Sequence, residues 1–328
     1  MTSELTASDN ILVLRLSALG DVAMTLPVIY SVARRYPSLR LTVVTRPFFR
    51  RLFIDAPANI SFIDFEAGSI KELLAFISTL KNKGFTAVAD LHDVIRTRAI
   101  RLALHLGKLP VETVNKDRRA RKKLTDNKER TFQTNYVDRY ADVFSRLGYP
   151  ATVSFEGFFP SAEPRSGVGI APFARYSTKT YPPELMEQVA RKLTDSGIAV
   201  TLFGARGHEQ RQLQQWVERN PALNSLAGKL TLEDELRAMS RLKVMVTMDS
   251  ANMHLASLVA TPVVSIWGST IPQCGFLGYG QSADSAVWLD LECQPCSVAG
   301  LPSCPIGHYA CLERIAPDTI VDAVCRHL

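Results

Sequence analysis

Several familiar signatures are missing from this chain, and each absence narrows what it does. No apolar run reaches about 18 residues, so no segment reads as a membrane-spanning helix. The stretch Met1 to Asn10 is polar and lacks the apolar core of a secretory signal, so a cytoplasmic protein is expected. There is no G-x-S-x-G, no H-E-x-x-H and no Walker A lysine loop, so no hydrolytic nucleophile, zinc helix or P-loop is marked. A G-x-G-x-x-G fingerprint is also missing: the turn after the first apolar run holds only Gly20. The nearest approach to a metal-holding Asp-x-Asp is Asp290-Leu291-Glu292. It adjoins a cysteine-rich segment rather than the end of a core strand, so divalent-metal catalysis is not indicated.

What is present is a globular composition. The 328 residues are 46% hydrophobic and 21% charged, enough for two domains that each bury a core. The net charge of +6 is modest but locally concentrated. Lys116, Arg118, Arg119, Arg121, Lys122, Lys123, Lys128 and Arg130 stand against only Asp117, Asp126 and Glu129. Such a stretch attracts phosphate or anionic lipid headgroups, or else it is a solvated, mobile surface loop. No aromatic residue lies among these charges, and Phe132 and Tyr136 follow at helical spacing, so nucleic acid is not expected.

Along the chain, short apolar runs alternate with amphipathic segments. In the first half, strands are expected at Ile11–Leu16, Leu39–Thr45, Ile60–Phe65 and Thr86–Leu91. Helices are expected at Val22–Tyr36, Ser69–Lys83, Val94–Leu106 (closed by Gly107) and Thr131–Leu147. Ser69 with Glu72 three residues on predicts a capping box. The Pro-, Ser- and Gly-rich stretch Phe158–Gly167 reads as a linker, which divides the chain into residues 1–160 and 161–328. The alternation then restarts. It gives strands at Val168–Pro172, Ala199–Phe203, Val244–Thr247 and Val263–Trp267, and helices at Pro183–Thr194, Glu209–Arg219, Leu232–Leu242, Asn252–Val259 and Pro317–His327. This pattern predicts an α/β protein of two Rossmann-like, doubly wound parallel-sheet domains facing each other across a cleft.

Chemistry in such sheets collects where a strand hands over to a helix, because free N–H groups and the positive helix end point there. Asp21 occupies that position in Arg15-Leu16-Ser17-Ala18-Leu19-Gly20-Asp21. A carboxylate there can take a proton from a substrate hydroxyl, or it can simply cap the following helix. Asp249-Ser250-Ala251-Asn252-Met253-His254 repeats the logic in the second half. Its helix N-terminus suits a diphosphate, with His254 one turn beyond Ser250, unless His254 is only a satisfied core histidine. Lys179 follows the strand Val168–Pro172 and can neutralise phosphate or stand in a surface loop. Glu209 ends Gly204-Ala205-Arg206-Gly207-His208-Glu209 and can reach a ribose hydroxyl or serve as a first-turn acid. All six cysteines fall at or after Cys274. Cys293, Cys296, Cys304 and Cys311 are spaced so that they could hold a structural zinc, or else pack a loop as reduced thiols.

Taken together these segments resemble the heptosyltransferases of lipopolysaccharide core assembly, glycosyltransferase family nine. Four segments carry the resemblance, in family order. They are Arg15–Asp21 followed by Thr25-Leu26-Pro27; Lys179 followed by Tyr181-Pro182; Asp249–His254 followed by Ile266-Trp267-Gly268-Ser269-Thr270; and Cys293-Gln294-Pro295-Cys296 with Cys304-Pro305-Ile306-Gly307-His308 and Cys311. Ala251 departs from the pattern, standing where the family usually has glycine. The resemblance implies a GT-B architecture with the acceptor bound mainly by the first domain and the sugar nucleotide by the second. It further implies an inverting, metal-independent transfer from ADP-heptose. Asp21 would be the base, and Lys179, Glu209, Asp249, Ser250, Ala251 and His254 would hold the nucleotide. The basic stretch would meet a phosphorylated glycolipid at the cytoplasmic face of the inner membrane. A GT-B enzyme using another nucleotide sugar, and a non-enzymatic anion-binding protein, are the alternatives.

Overall fold

A computed structural model describes residues 9–105, 108–126, 129–160 and 163–328. The expected helix end at Leu106 and Gly107, the basic Lys128, and Ser161 and Ala162 of the expected linker lie outside the described residues. The chain divides into two compact units, Met1–Lys116 with Tyr136–Phe155, and Asp117–Asn135 with Glu156–Leu328.

In chain order the first unit begins with β1 (Asn10–Leu14), α1 (Leu19–Arg35), β2 (Arg40–Thr45), α2 (Pro47–Arg50), β3 (Ile60–Asp64) and α3 (Ile70–Leu80). It continues with β4 (Ala87–Asp90), α4 (Ile95–His105) and β5 (Val111–Thr113). After α5 (Arg118–Asp126), which belongs to the second unit, α6 (Tyr136–Arg146) completes the first. Its sheet is wholly parallel in the order β3-β2-β1-β4-β5. β1 is buried along its whole length, which explains the unbroken apolar run Ile11–Leu14. Leu12 and Leu14 join Ile77 and Leu80 of α3 and Ile100 and Leu104 of α4 in one core. Helix α1 packs with α6. Ser69 caps α3, with Glu72 N–H donating to Ser69 Oγ (3.2 Å) and Ser69 N–H donating to Glu72 Oε2 (3.0 Å).

The second unit holds β6 (Val168–Ala171), α7 (Pro183–Asp195), β7 (Val200–Leu202), α8 (His208–Arg219), β8 (Leu223–Ser225), α9 (Leu232–Ser240) and β9 (Val244–Met248). It closes with α10 (Ala251–Leu258), β10 (Val263–Ile266), β11 (Ala286–Val287), α11 (Ala310–Glu313) and α12 (Pro317–Cys325). Its sheet is also wholly parallel, ordered β11-β10-β9-β6-β7-β8. One core joins strand residues such as Ile170, Leu202 and Val246 to Trp216 of α8, Met186 of α7 and Ile320 of α12. Two separate parallel sheets, each flanked by helices, bear out the doubly wound architecture expected from the alternating pattern.

Three differences from the sequence reading have a physical cause. The basic stretch is not all loop: Arg118–Asp126 is helical. Asp117 Oδ1 accepts from Ala120 N–H (3.1 Å), and Leu124 is fully buried against Ile271 and Cys274. One anchoring leucine among charges gives no readable period. Next, the helix expected from Thr131 starts only at Tyr136. The residues before it are held elsewhere: Gln133 N–H donates to Gln273 O (2.9 Å) and Asn135 Nδ2 to Leu277 O (2.9 Å). Finally, the edge strands β5, β8 and β11 are too short to show an apolar run.

Candidate functional site

Each sheet reverses its strand order once, between β1 and β4 in the first unit and between β6 and β9 in the second. The crevice beyond the carboxyl ends of such a strand pair is where open α/β sheets bind ligands. Asp21, Lys179 and the Asp249–His254 segment fall at these two places, whereas Glu209 follows β7 and the cysteine segment follows β11.

In the first unit, the segment after β1 carries Arg15 and Asp21. Arg15 is buried, and its Nη1 donates to Leu91 O (2.6 Å) and to the Tyr140 hydroxyl (3.0 Å). Its other terminal nitrogen, Nη2, lies 2.8 Å from Asp21 Oδ2. Burial works against the Arg15 charge, but Asp21 together with Tyr140 and Tyr136 outweighs it and the guanidinium is held more firmly protonated than usual. Asp21 sits in the first turn of α1 and accepts from Ala18 N–H (3.2 Å), so it also caps the helix. Both contacts favour the ionised carboxylate, the form a general base requires. Asp21 remains about one-third exposed, so a substrate hydroxyl can approach it.

Beyond β4, on the other side of the same crevice, stands His92. Leu16 N–H donates to its Nδ1 (3.4 Å), which makes that nitrogen the unprotonated one. Burial, reinforced by the Arg15 charge, pushes His92 down to about 3, so it is neutral at ordinary pH. Asp90, fully buried, accepts from the backbone N–H groups of His92 and Asp93 (2.9 Å each) and holds that turn. The sequence reading missed His92 and assigned no role to Arg15. The one available signal was a charged residue directly after the apolar run Ile11–Leu14.

In the second unit, Lys179 ends the short 3-10 turn Ser177–Lys179 after β6, and Asp249 follows β9. Lys179 Nζ lies 2.7 Å from Asp249 Oδ2, and the Thr270 hydroxyl donates to the same oxygen (2.7 Å). The lysine is thus anchored by a buried carboxylate, with donors left over for an anion. Ser250 is the extended N-cap of α10, and its hydroxyl is 3.1 Å from that of Thr247. Ala251 is the first helical residue and is not among the positive-φ positions, so the backbone there does not demand glycine. His254 is buried on α10 one turn further. Lys179, Asp249 and Ser250 therefore converge at the mouth of β6 and β9.

Glu209 lies at the start of α8, after β7, where its Oε2 accepts from Ala205 N–H (2.7 Å). Near it is a carboxyl the sequence reading overlooked: Glu235 of α9, pushed up to about 7 by burial and then by the Glu209 charge. Nothing in the run Leu232-Glu233-Asp234-Glu235 distinguishes this one acid.

The cysteine segment has a structural use different from the one expected. Among the described residues, no group of three or more His, Cys, Asp or Glu is placed to hold a metal ion. This overturns the structural zinc expected at Cys293, Cys296, Cys304 and Cys311. Cys296 and Cys304 are held by the backbone of the loop itself. Cys296 Sγ donates to Cys293 O (3.1 Å), and burial pushes the Cys311 thiol up to about 12. The segment is fastened to the Lys179 turn. Cys296 N–H donates to Ser269 O (2.9 Å), and the Thr178 hydroxyl donates to Leu301 O (2.7 Å) while accepting from Leu301 N–H (2.9 Å). Gly300, at φ +95°, lets this loop lie on the lysine stem, since a Cβ there would meet Lys179 Cδ at 2.6 Å.

Comparison with known proteins places this geometry in a family. The model of glycosyltransferase family 9 (heptosyltransferase) matches residues 73–305. The chain is 22% identical over 312 residues to lipooligosaccharide heptosyltransferase 2 of Campylobacter jejuni, covering 93% of this chain and 95% of the relative. It is 24% identical over 295 residues to lipopolysaccharide heptosyltransferase 1 of Escherichia coli K12, covering 83% and 92%. Among solved structures, a family 9 glycosyltransferase from Veillonella parvula superposes with a TM-score of 0.73 at 19% identity, covering 99% of this chain and 98% of that one. The E. coli heptosyltransferase WaaC with ADP superposes with a TM-score of 0.70 at 19% identity, covering 97% and 100%. These last two likenesses show a shared GT-B fold, and the family match, which spans most of the chain, shows the rest: the chain belongs to glycosyltransferase family 9, the heptosyltransferase family, and is a glycosyltransferase.

Proposed function

We propose that this enzyme transfers a heptose from ADP-heptose to a lipopolysaccharide core acceptor, with inversion at the anomeric carbon. The observation that carries the reading is the position of both charged motifs: each lies at the strand-order reversal of its own parallel sheet. Asp21 takes the proton from the acceptor hydroxyl as its oxygen bonds to the anomeric carbon. The bond from that carbon to ADP breaks, and its electron pair leaves on the diphosphate. Lys179, steadied by Asp249, and the N-terminus of α10 from Ser250 and Ala251 meet that charge, which is the role other designs give to a divalent cation. His254 lies one turn along the same helix and holds the nucleotide's phosphate or sugar edge, and Glu209 holds the ribose. Arg118, Arg119, Lys122 and Lys123 of α5 face a phosphorylated glycolipid at the cytoplasmic face of the inner membrane. No helix among the described residues is long and apolar enough to cross a membrane, so contact with that surface is peripheral in this reading.

Calorimetric titration with ADP, UDP and GDP, without added divalent metal, tests the donor. Selective ADP binding is the expected result. Preference for UDP or GDP discards the heptose donor and leaves a GT-B enzyme of different specificity.

A further inference from the structure

We propose that the outer face shared by α3 and α4 docks on an anionic lipid bilayer. Both helices bury one side on the sheet through Ile77, Leu80, Ile100 and Leu104. They also carry large aliphatic side chains that the core does not use: Ile70 is 79% exposed, Leu74 62%, Ile95 84% and Leu102 61%. Ile70 and Leu74 are one helical turn apart, and Ile95 and Leu102 two, so each pair forms a ridge along its helix. Between the ridges lies an open groove of about 320 Å³ whose lining includes Leu74, Ile77, Ser78, Lys81, Ala99 and Leu102. An exposed apolar patch on adjacent elements marks an interaction surface, not ordinary surface scatter.

The charges around it select the occupant. Lys71, Lys81 and Lys83 accompany α3, and Arg96 and Lys108 accompany α4. The remaining arginines of α4 are committed, Arg98 to Asp93 and Arg101 to Asp90. Besides Asp90 and Asp93, the acids nearby are Asp64, paired with Arg50, then Glu66 and Glu72, and Glu72 is spent on the N-terminus of α3, accepting from Gly68 and Ser69 N–H. Aliphatic ridges fringed by lysines suit a bilayer, where aliphatic tips enter the headgroup layer and lysine stems snorkel to anionic phosphates.

Topology adds a consequence that rests on the proposed acceptor. In a parallel sheet every helix begins at the edge where its preceding strand ends. Ile70 and Ile95 begin α3 and α4, and Asp21 lies in the first turn of α1, so all three stand at the same edge of this sheet. A bilayer seated on this face holds the headgroup of a lipid-anchored acceptor near that edge.

The test is flotation of the full chain with vesicles of phosphatidylethanolamine and phosphatidylglycerol, and with neutral phosphatidylcholine vesicles. Wild type is expected to float with the phosphatidylglycerol vesicles and to be released by salt. The double variant Ile70→Asp/Ile95→Asp is expected to lose about ten-fold in affinity per side chain. Both positions are so exposed that thermal unfolding should not move, which separates docking from folding. Unchanged binding by the variant, or no binding by wild type, overturns the proposal. So does a concentration-dependent dimer that the same substitutions abolish, since the face would then join two copies. Turnover of a delipidated core oligosaccharide separates this from the functional reading. The variant should retain it, and its absence in wild type alongside intact vesicle binding sinks the acceptor assignment and leaves the docking face standing.

Discussion

Replacing Lys179 by methionine keeps the aliphatic stem against Gly300 and removes only the charge. The pair it breaks is 2.7 Å long, with the lysine side chain 13% exposed and Asp249 5% exposed. At an effective dielectric constant of about 20, unit charges at this distance attract by about 6 kcal/mol. Most of that is offset by the cost of taking both groups out of water, so the intact pair adds little net stability. Breaking it is another matter. In Lys179→Met the Asp249 carboxylate stays buried with the Thr270 hydroxyl as its remaining side-chain donor, and a stranded buried charge costs about 3–5 kcal/mol. Asp249→Asn should cost less, about 1–3 kcal/mol, because the lysine can swing its ammonium toward water. The double variant should fall well short of the sum, with a coupling energy of about 2 kcal/mol or more. Urea unfolding followed by tryptophan fluorescence reads the relevant unit, since Trp216, Trp267 and Trp288 all lie in it. A Lys179→Met cost below about 1 kcal/mol, or additive single variants, would falsify the buried pair as a structural element.

Other outcomes follow from the same geometry. Asp21→Asn keeps the shape at the head of α1 but removes the base, so turnover should drop by about 10²- to 10⁴-fold with ADP affinity unchanged; survival of turnover to within ten-fold removes Asp21 from the chemistry. His92 is held near 3 against an ordinary value of 6.5, so between those values the unfolded chain binds a proton that the folded chain refuses. Its contribution to stability is therefore complete above about pH 6.5 and is lost as the pH falls toward about 3, with a slope of at most about 1.4 kcal/mol per pH unit. His92→Asn should flatten that slope in urea melts compared at about pH 4.5 and about pH 7, and identical slopes would place His92 in ordinary solvent. Charge reversal at Arg119, Lys122 and Lys123, all exposed on α5, should raise KM for a membrane-embedded acceptor at least about ten-fold and leave the Kd for ADP alone. An equal change in both constants would mean that α5 supports the nucleotide site and not the acceptor.

The sequence by itself determined the periodicities and the places where they break. Unbroken apolar runs such as Ile11–Leu14 and Val244–Val246 suit strands covered on both faces, and the polar residues after them mark the strand ends. That is why the two charged motifs were legible as sites, and why Ser69 with Glu72 announced the start of α3. Tertiary structure decided what depends on partners distant in the chain. Lys179 and Asp249 are 70 positions apart and become one ion pair only because β6 and β9 are neighbours across the strand-order reversal. His92 shares a crevice with Asp21 only because β4 pairs with β1. The helix α5 exists because one leucine finds a pocket made by Ile271 and Cys274, too sparse an anchor to show in a local pattern. The cysteine spacing suits a loop of reduced thiols somewhat better than zinc, and only the fold settled it, since no group of three or more His, Cys, Asp or Glu comes together to hold a metal among the described residues. Local sequence encodes which residues face a core; which of them meet is fixed by strand order, and strand order is a property of the whole sheet.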